Sequence, residues 1–112
     1  MKRREERRQG ARHMCSEFIQ VSFWDKRGRE ISEIGVLENV SLGGVSISLN
    51  IPIPVGTGAR IHTRDFEGQV AVRYCELGNY GFLVGVEFAD GYRWDEEEWE
   101  PEHLLAVPDG GW

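Results

Sequence analysis

From Glu17 onward, apolar side chains fall on every second residue, and this period of two dominates the middle of the chain. Ile19, Val21 and Phe23 alternate with Gln20, Ser22 and Trp24. An extended backbone points successive side chains to opposite faces, so such a run makes a strand with one buried face. "DKRG" (Asp25 to Gly28) then turns the chain. Ile31 to Leu37 reads as a second strand, and Val45, Ile47 and Leu49 alternate with serines in a third. The prolines of "NIPIPVGTG" (Asn50 to Gly58) mark a connection, because a proline cannot donate within a central strand. Ala59 to Thr63 is a fourth strand. Val70, Val72 and Tyr74 alternate with Ala71, Arg73 and Cys75 in a fifth. After the turn "ELGNYG", Phe82, Val84, Val86 and Phe88 form the most regular alternation.

No long helix separates these runs, so the expected fold is all-β: a six-stranded antiparallel β-barrel. Closure is favoured over an open sheet because it removes exposed edges. A chain of 112 residues suits one compact domain. Residues 1–15 read as a flexible basic N-terminal arm, 16–92 as the barrel and 93–112 as an acidic, Trp-rich tail. Pro101 and Pro108 hold that tail to irregular structure or a short helical turn. Trp94 and Trp99 are expected to cap the barrel or cover an edge.

Net charge is −6, but it is unevenly spread. Lys2, Arg3, Arg4, Arg7, Arg8 and Arg12 crowd the start, whereas Asp95, Glu96, Glu97, Glu98, Glu100 and Glu102 crowd the tail. An acidic body argues against general nucleic-acid binding, and a local basic arm suits a small anionic ligand better. No apolar run approaches the roughly 20 residues of a membrane helix, and no signal-peptide core follows the charged start. With Cys15 and Cys75 isolated as free thiols, the expected address is cytoplasmic and no membrane insertion is expected.

Enzymatic chemistry finds little purchase. His13, His62 and His103 are scattered without metal-ligand spacing, and no nucleophile elbow, zinc-protease or phosphate-loop motif occurs. The expectation is no catalysis, no metal and no cofactor. Two other features stand out. In "RRQGAR", Arg8 and Arg12 are four apart, preceded by Arg7, and Gly10 permits a bend that lets guanidinium forks converge on one anion. Alone, the run also reads as a frayed basic tail. In "NVSLGG", Asn39 and Ser41 offer donors and acceptors, while Gly43 and Gly44 permit close approach. Alone, it also reads as a β-turn.

Taken together, "RQGAR" (Arg8, Arg12), "NVSLGG" (Asn39, Ser41, Gly44) and "GFLVGVEF" (Gly81 to Phe88) resemble the PilZ domain family. That family carries an R-x-x-x-R motif, then D/N-x-S-x-x-G, then a strand with a G-V-x-F segment. Arg3/Arg7 and Arg4/Arg8 also satisfy the first motif. Arg8/Arg12 is chosen because it lies a few residues before the first strand, leaving Arg7 just ahead of the motif. The resemblance covers roughly Arg7 to Asp90. It implies a PilZ-like barrel that binds the bacterial second messenger cyclic di-GMP through Arg7, Arg8, Arg12, Asn39, Ser41, Gly43, Gly44 and Arg73. Asn39 stands where the family more often has Asp. The family often has a tryptophan in its fifth strand, near Val72 here, with Arg73 beside it as a substitute if it faces outward. Signalling would follow from ordering the arm over the barrel and presenting a new surface to an unidentified protein partner. The alternative is a PilZ-like protein–protein adaptor, acting through its tail, that binds no nucleotide. The sequence carries no decisive signal of oligomeric state.

Overall fold

The computed structural model describes residues 11–105. Six antiparallel strands follow in chain order: β1 (His13–Trp24), β2 (Glu30–Val40), β3 (Gly44–Leu49), β4 (Gly58–His62), β5 (Glu67–Gly78) and β6 (Gly81–Phe88). They close into a barrel in the order β1-β2-β3-β6-β5-β4, with β4 returning to β1. The chain is therefore all-β with a closed six-stranded barrel, and no helix occurs among the described residues.

The alternation of the sequence becomes the wall of this barrel. Ile19, Val21 and Phe23 of β1 point inward, as do Ile47 and Leu49 of β3 and Val84, Val86 and Phe88 of β6. Leu37 and Val40 of β2, Ile61 of β4 and Val72 of β5 complete the fully buried layer. Each such side chain contributes about 1.5–3 kcal/mol relative to exposure. Turn chemistry matches the sequence too. The Asp25 carboxylate accepts from the backbone N–H groups of Arg27 and Arg29, and Gly28 sits at φ 77°. Those amide bonds, that of Arg29 first, hold the Asp25 carboxyl below its usual range.

Two departures from simple alternation shape the outer surface along β2 and β5. In β2 the pairing with β3 shifts between Leu37 and Asn39, so Leu37 and Val40 both face inward while Glu38 and Asn39 are only half-buried. In β5 the pairing with β6 shifts between Val72 and Tyr74, leaving Arg73 as the extra residue. A bulge of this kind inserts one residue and reverses the face of everything after it. The sequence reading placed Tyr74 on the face of Val72. Instead Tyr74 lies outside, and Cys75 packs against the core. A boundary also moves. β1 starts at His13, so residues 13–15, which the sequence places in the arm, are strand: His13 and Met14 pair with Val40 and Asn39 of β2, and Cys15 is buried at the irregularity that follows.

The tail closes one end of the barrel. Trp94 and Trp99 are buried, and Trp99 stacks on Phe66 at 4.7 Å between ring centroids. Both indole N–H groups are used: Trp94 Nε1 donates to the Trp99 carbonyl (3.0 Å) and Trp99 Nε1 to the Tyr92 hydroxyl (2.9 Å). A single turn links them, with the amides of Glu98 and Trp99 donating to the Asp95 carbonyl. Glu17, a buried carboxylate, accepts from the Glu102 amide (2.8 Å) and the Arg64 amide (3.2 Å), tying the tail and the β4–β5 connection to β1. No helix among the described residues is long and apolar enough to cross a membrane.

Candidate functional site

A concave site of about 230 Å³ opens on the outer wall where the β2–β3 loop meets β5 and β6. Of the residues singled out from sequence, Arg12, Asn39, Ser41, Gly43, Gly44 and Arg73 line it together. Arg7 and Arg8 lie outside the described residues. Residues far apart in the chain thus share one hollow, because β2, β3, β6 and β5 are neighbours in the barrel.

The "NVSLGG" loop is rigid by construction. The Ser41 backbone amide donates to the Gly44 carbonyl at 2.9 Å, and the Ser41 hydroxyl donates to the same oxygen at 3.2 Å. The Leu42 carbonyl accepts from the Trp94 amide, and the Gly43 carbonyl from the Phe88 amide. Ser41 therefore spends its proton inside the loop and offers a ligand its lone pairs. Gly44 makes room, but for β6: a Cβ there would collide with the Val86 carbonyl. Gly43 faces open space, with nothing within 4 Å of a Cβ built on it. Asn39 is different again. The β2 bulge delivers it to the hollow, and its side-chain amide has no hydrogen-bond partner among the described residues.

On the opposite wall stand residues that sequence reasoning did not single out: Ser46, Tyr74, Gly85 and Glu87. The Tyr74 ring lies flat across Gly85, where a Cβ would overlap the ring itself. Its hydroxyl bonds to the buried Ser46 hydroxyl at 2.8 Å and accepts from Arg12 Nη1 at 3.4 Å. Val72, near the position where the family resemblance implies a fifth-strand tryptophan, is fully buried, so the aromatic surface of this site belongs to Tyr74. The available signal was Gly85 in the middle of the most regular strand, since a glycine there marks a close approach.

Arg73 faces outward. Its Nε donates to Glu87 Oε1 at 2.6 Å, and its Nη2 contacts the same oxygen. The pair is exposed, so it contributes only about 0.2–1 kcal/mol to folding. Both Arg73 contacts fall on Oε1, and Oε2 has no hydrogen-bond partner among the described residues. Searches against known protein families, curated proteins and solved structures find no match. The chemistry of the hollow must therefore be read from its own atoms. Among the described residues it offers one guanidinium held by a phenol (Arg12), one held by a carboxylate (Arg73), an amide without a partner (Asn39) and an aromatic wall. That set suits a planar, hydrogen-bonding ligand that carries negative charge.

Elsewhere, Cys15 is buried against Glu17 and Glu38. Burial first, and those charges second, push its thiol up to about 12, which makes it a poor nucleophile at neutral pH. Cys75 is half-buried. No three His, Cys, Asp or Glu side chains gather as a metal-binding group among the described residues.

Proposed function

We propose that this chain is a PilZ-like receptor that binds cyclic di-GMP in the hollow between the β2–β3 loop and β5–β6. The observation that supports the reading most is the convergence of Arg12, from one motif, with Asn39, Ser41, Gly43 and Gly44, from the other, on one concavity. Arg12 exchanges its long bond to Tyr74 for a phosphate or a guanine O6/N7 edge, which arginine binds bidentately. Asn39 holds polar atoms of a base, and the Tyr74 ring supplies a stacking face.

The hollow is smaller than the roughly 300–1,000 Å³ of typical small-molecule sites. Its described walls cover only part of such a ligand. Arg7 and Arg8 supply the remainder when the arm closes over it, and that closure is the signal. Each charge-assisted hydrogen bond contributes about 1.5–3 kcal/mol, whereas ordering the arm costs about 1–2 kcal/mol per residue. Several arginine contacts are therefore required together.

Isothermal titration with cyclic di-GMP tests the reading. The wild-type chain is expected to bind, Arg12→Ala and Arg8→Ala to lose binding, and Asn39→Ala to weaken it. Absence of wild-type binding, or an unchanged affinity in Arg12→Ala, sinks it. The adaptor alternative would draw on the tryptophans of the tail. Trp94 and Trp99 are committed to closing the barrel, which favours the nucleotide reading over it.

A further inference from the structure

A carboxylate in a site for an anion needs a reason. Glu87 lines the same hollow as Arg12 and Asn39, on the β6 residue opposite Gly44. Left to itself it would repel the phosphates of the ligand proposed above, and among the described residues the cation bonded to it is Arg73. Yet Arg73 does more than neutralise it. Both guanidinium contacts fall on Oε1, which orients the carboxylate, while Oε2 has no hydrogen-bond partner among the described residues. Arg73 is able to do this because it is the extra residue of the β5 bulge, placed on the outer face beside Glu87.

The protein thus places a carboxylate in the lining of a hollow that also contains an amide of mixed character. The two groups cannot make the same choice among bases. Asn39 carries a donor and an acceptor, and an amide of that kind pairs with adenine as readily as with guanine. A carboxylate only accepts. Guanine presents adjacent N1–H and N2–H₂ donors on its Watson–Crick edge, whereas adenine presents a bare N1 lone pair beside its amino group. Facing adenine, the carboxylate would set lone pair against lone pair and leave its charge unsatisfied.

We infer that Glu87 is the base-selecting residue of this site, accepting the N1–H and N2–H₂ edge of guanine, and that Arg73 is the positioning residue that aims it. The inference rests on the cyclic dinucleotide reading above. It also assigns the carboxylate role that Asn39 cannot fill to a side chain on another strand.

The test is a ratio. Wild-type chain, Glu87→Ala and Glu87→Gln are titrated calorimetrically with cyclic di-GMP and with cyclic di-AMP in one buffer. The two ligands carry equal charge, so any general electrostatic effect of removing Glu87 cancels in their relative affinity. The wild type is expected to prefer the guanine ligand by at least about a hundredfold, since a site built to satisfy polar groups strongly rejects an analogue that lacks the partner. Glu87→Ala is expected to lose at least about tenfold of that preference, with Glu87→Gln between. Glu87 is exposed, so circular dichroism and melting of the variants should match the wild type. Wild-type preference retained in Glu87→Ala overturns the role of Glu87 while leaving the ligand assignment standing. So does tighter binding of both ligands with an unchanged ratio, which would make the carboxylate a mere repellent. A wild type that binds neither ligand overturns the ligand assignment and this inference with it.

Discussion

The tail-closed end of the barrel and the hollow on its outer wall are built from similar residue types and treat them in opposite ways. At the closed end, both oxygens of Glu17 receive backbone amides, both buried indoles donate, and the Tyr92 hydroxyl bridges Trp99 and Glu98. At the hollow, among the described residues, Asn39 makes no side-chain bond, Glu87 uses one oxygen, and Arg12 rests on a single phenol contact at 3.4 Å. Polar groups that hold a fold together spend their capacity internally, because an unmet buried donor or acceptor is expensive. Groups kept at a surface hollow with capacity in hand are the ones a ligand can use. The difference separates polar residues committed to the fold from those proposed to meet a ligand, without any appeal to residue type.

If that contrast is right, substitutions at the two regions should fall on different axes. The largest loss of stability is expected from Trp99→Ala, which removes the ring stacked on Phe66 and opens the closed end, at a cost of about 3–5 kcal/mol by urea denaturation. A near-neutral result would show that the tail merely rests on the barrel. Glu17→Ala should follow, leaving the Arg64 and Glu102 amides without an acceptor at about 1–3 kcal/mol for each that stays dry. Faster amide hydrogen exchange at Glu102 would report the tail coming away locally.

A smaller effect, confined to alkaline solution, belongs to Cys15. Its folded thiol is raised from 9.0 to about 12, so the unfolded chain ionises first. The contribution is fully present below pH 9 and is lost as pH rises toward 12. Denaturation midpoints of the wild type should fall across that window more steeply than those of Cys15→Ala, and at pH 8 alkylation should label Cys75 well before Cys15. The smallest stability change is expected for Asn39→Ala, within about 0.5 kcal/mol of wild type, even where the proposed binding of cyclic di-GMP weakens. A large destabilisation there would move Asn39 to the structural side of the comparison.

The strands were legible because each alternates over a long enough run to declare its face: Ile19 to Phe23, Val45 to Leu49 and Phe82 to Phe88 all point as their spacing implies. Half of the hollow was legible as well, since Asn39, Ser41 and Gly44 sit in a short polar loop between two such runs. The other half was not. Tyr74 looked inward-facing because nothing in "VAVRYCEL" reveals that the ladder skips at Arg73. Gly44 looked like space for a ligand, but the carbonyl that fills this space comes from Val86, a residue 42 positions later.

By itself, the sequence determined the strand set, the all-β class, the position of the turns and the polar character of the β2–β3 loop. These follow from local rules, namely the two-residue period of an extended chain and the φ preferences of Gly, Pro and Asp. Only the tertiary structure decided that Tyr74 and Glu87 join Arg12 and Asn39 in one hollow, that Arg73 spends itself on Glu87, and that Trp94 and Trp99 close an end of the barrel rather than cover an edge. Those outcomes depend on which strands become neighbours and where a ladder admits one extra residue. Both are set by the joint packing of six strands around one core, which no single stretch of chain contains.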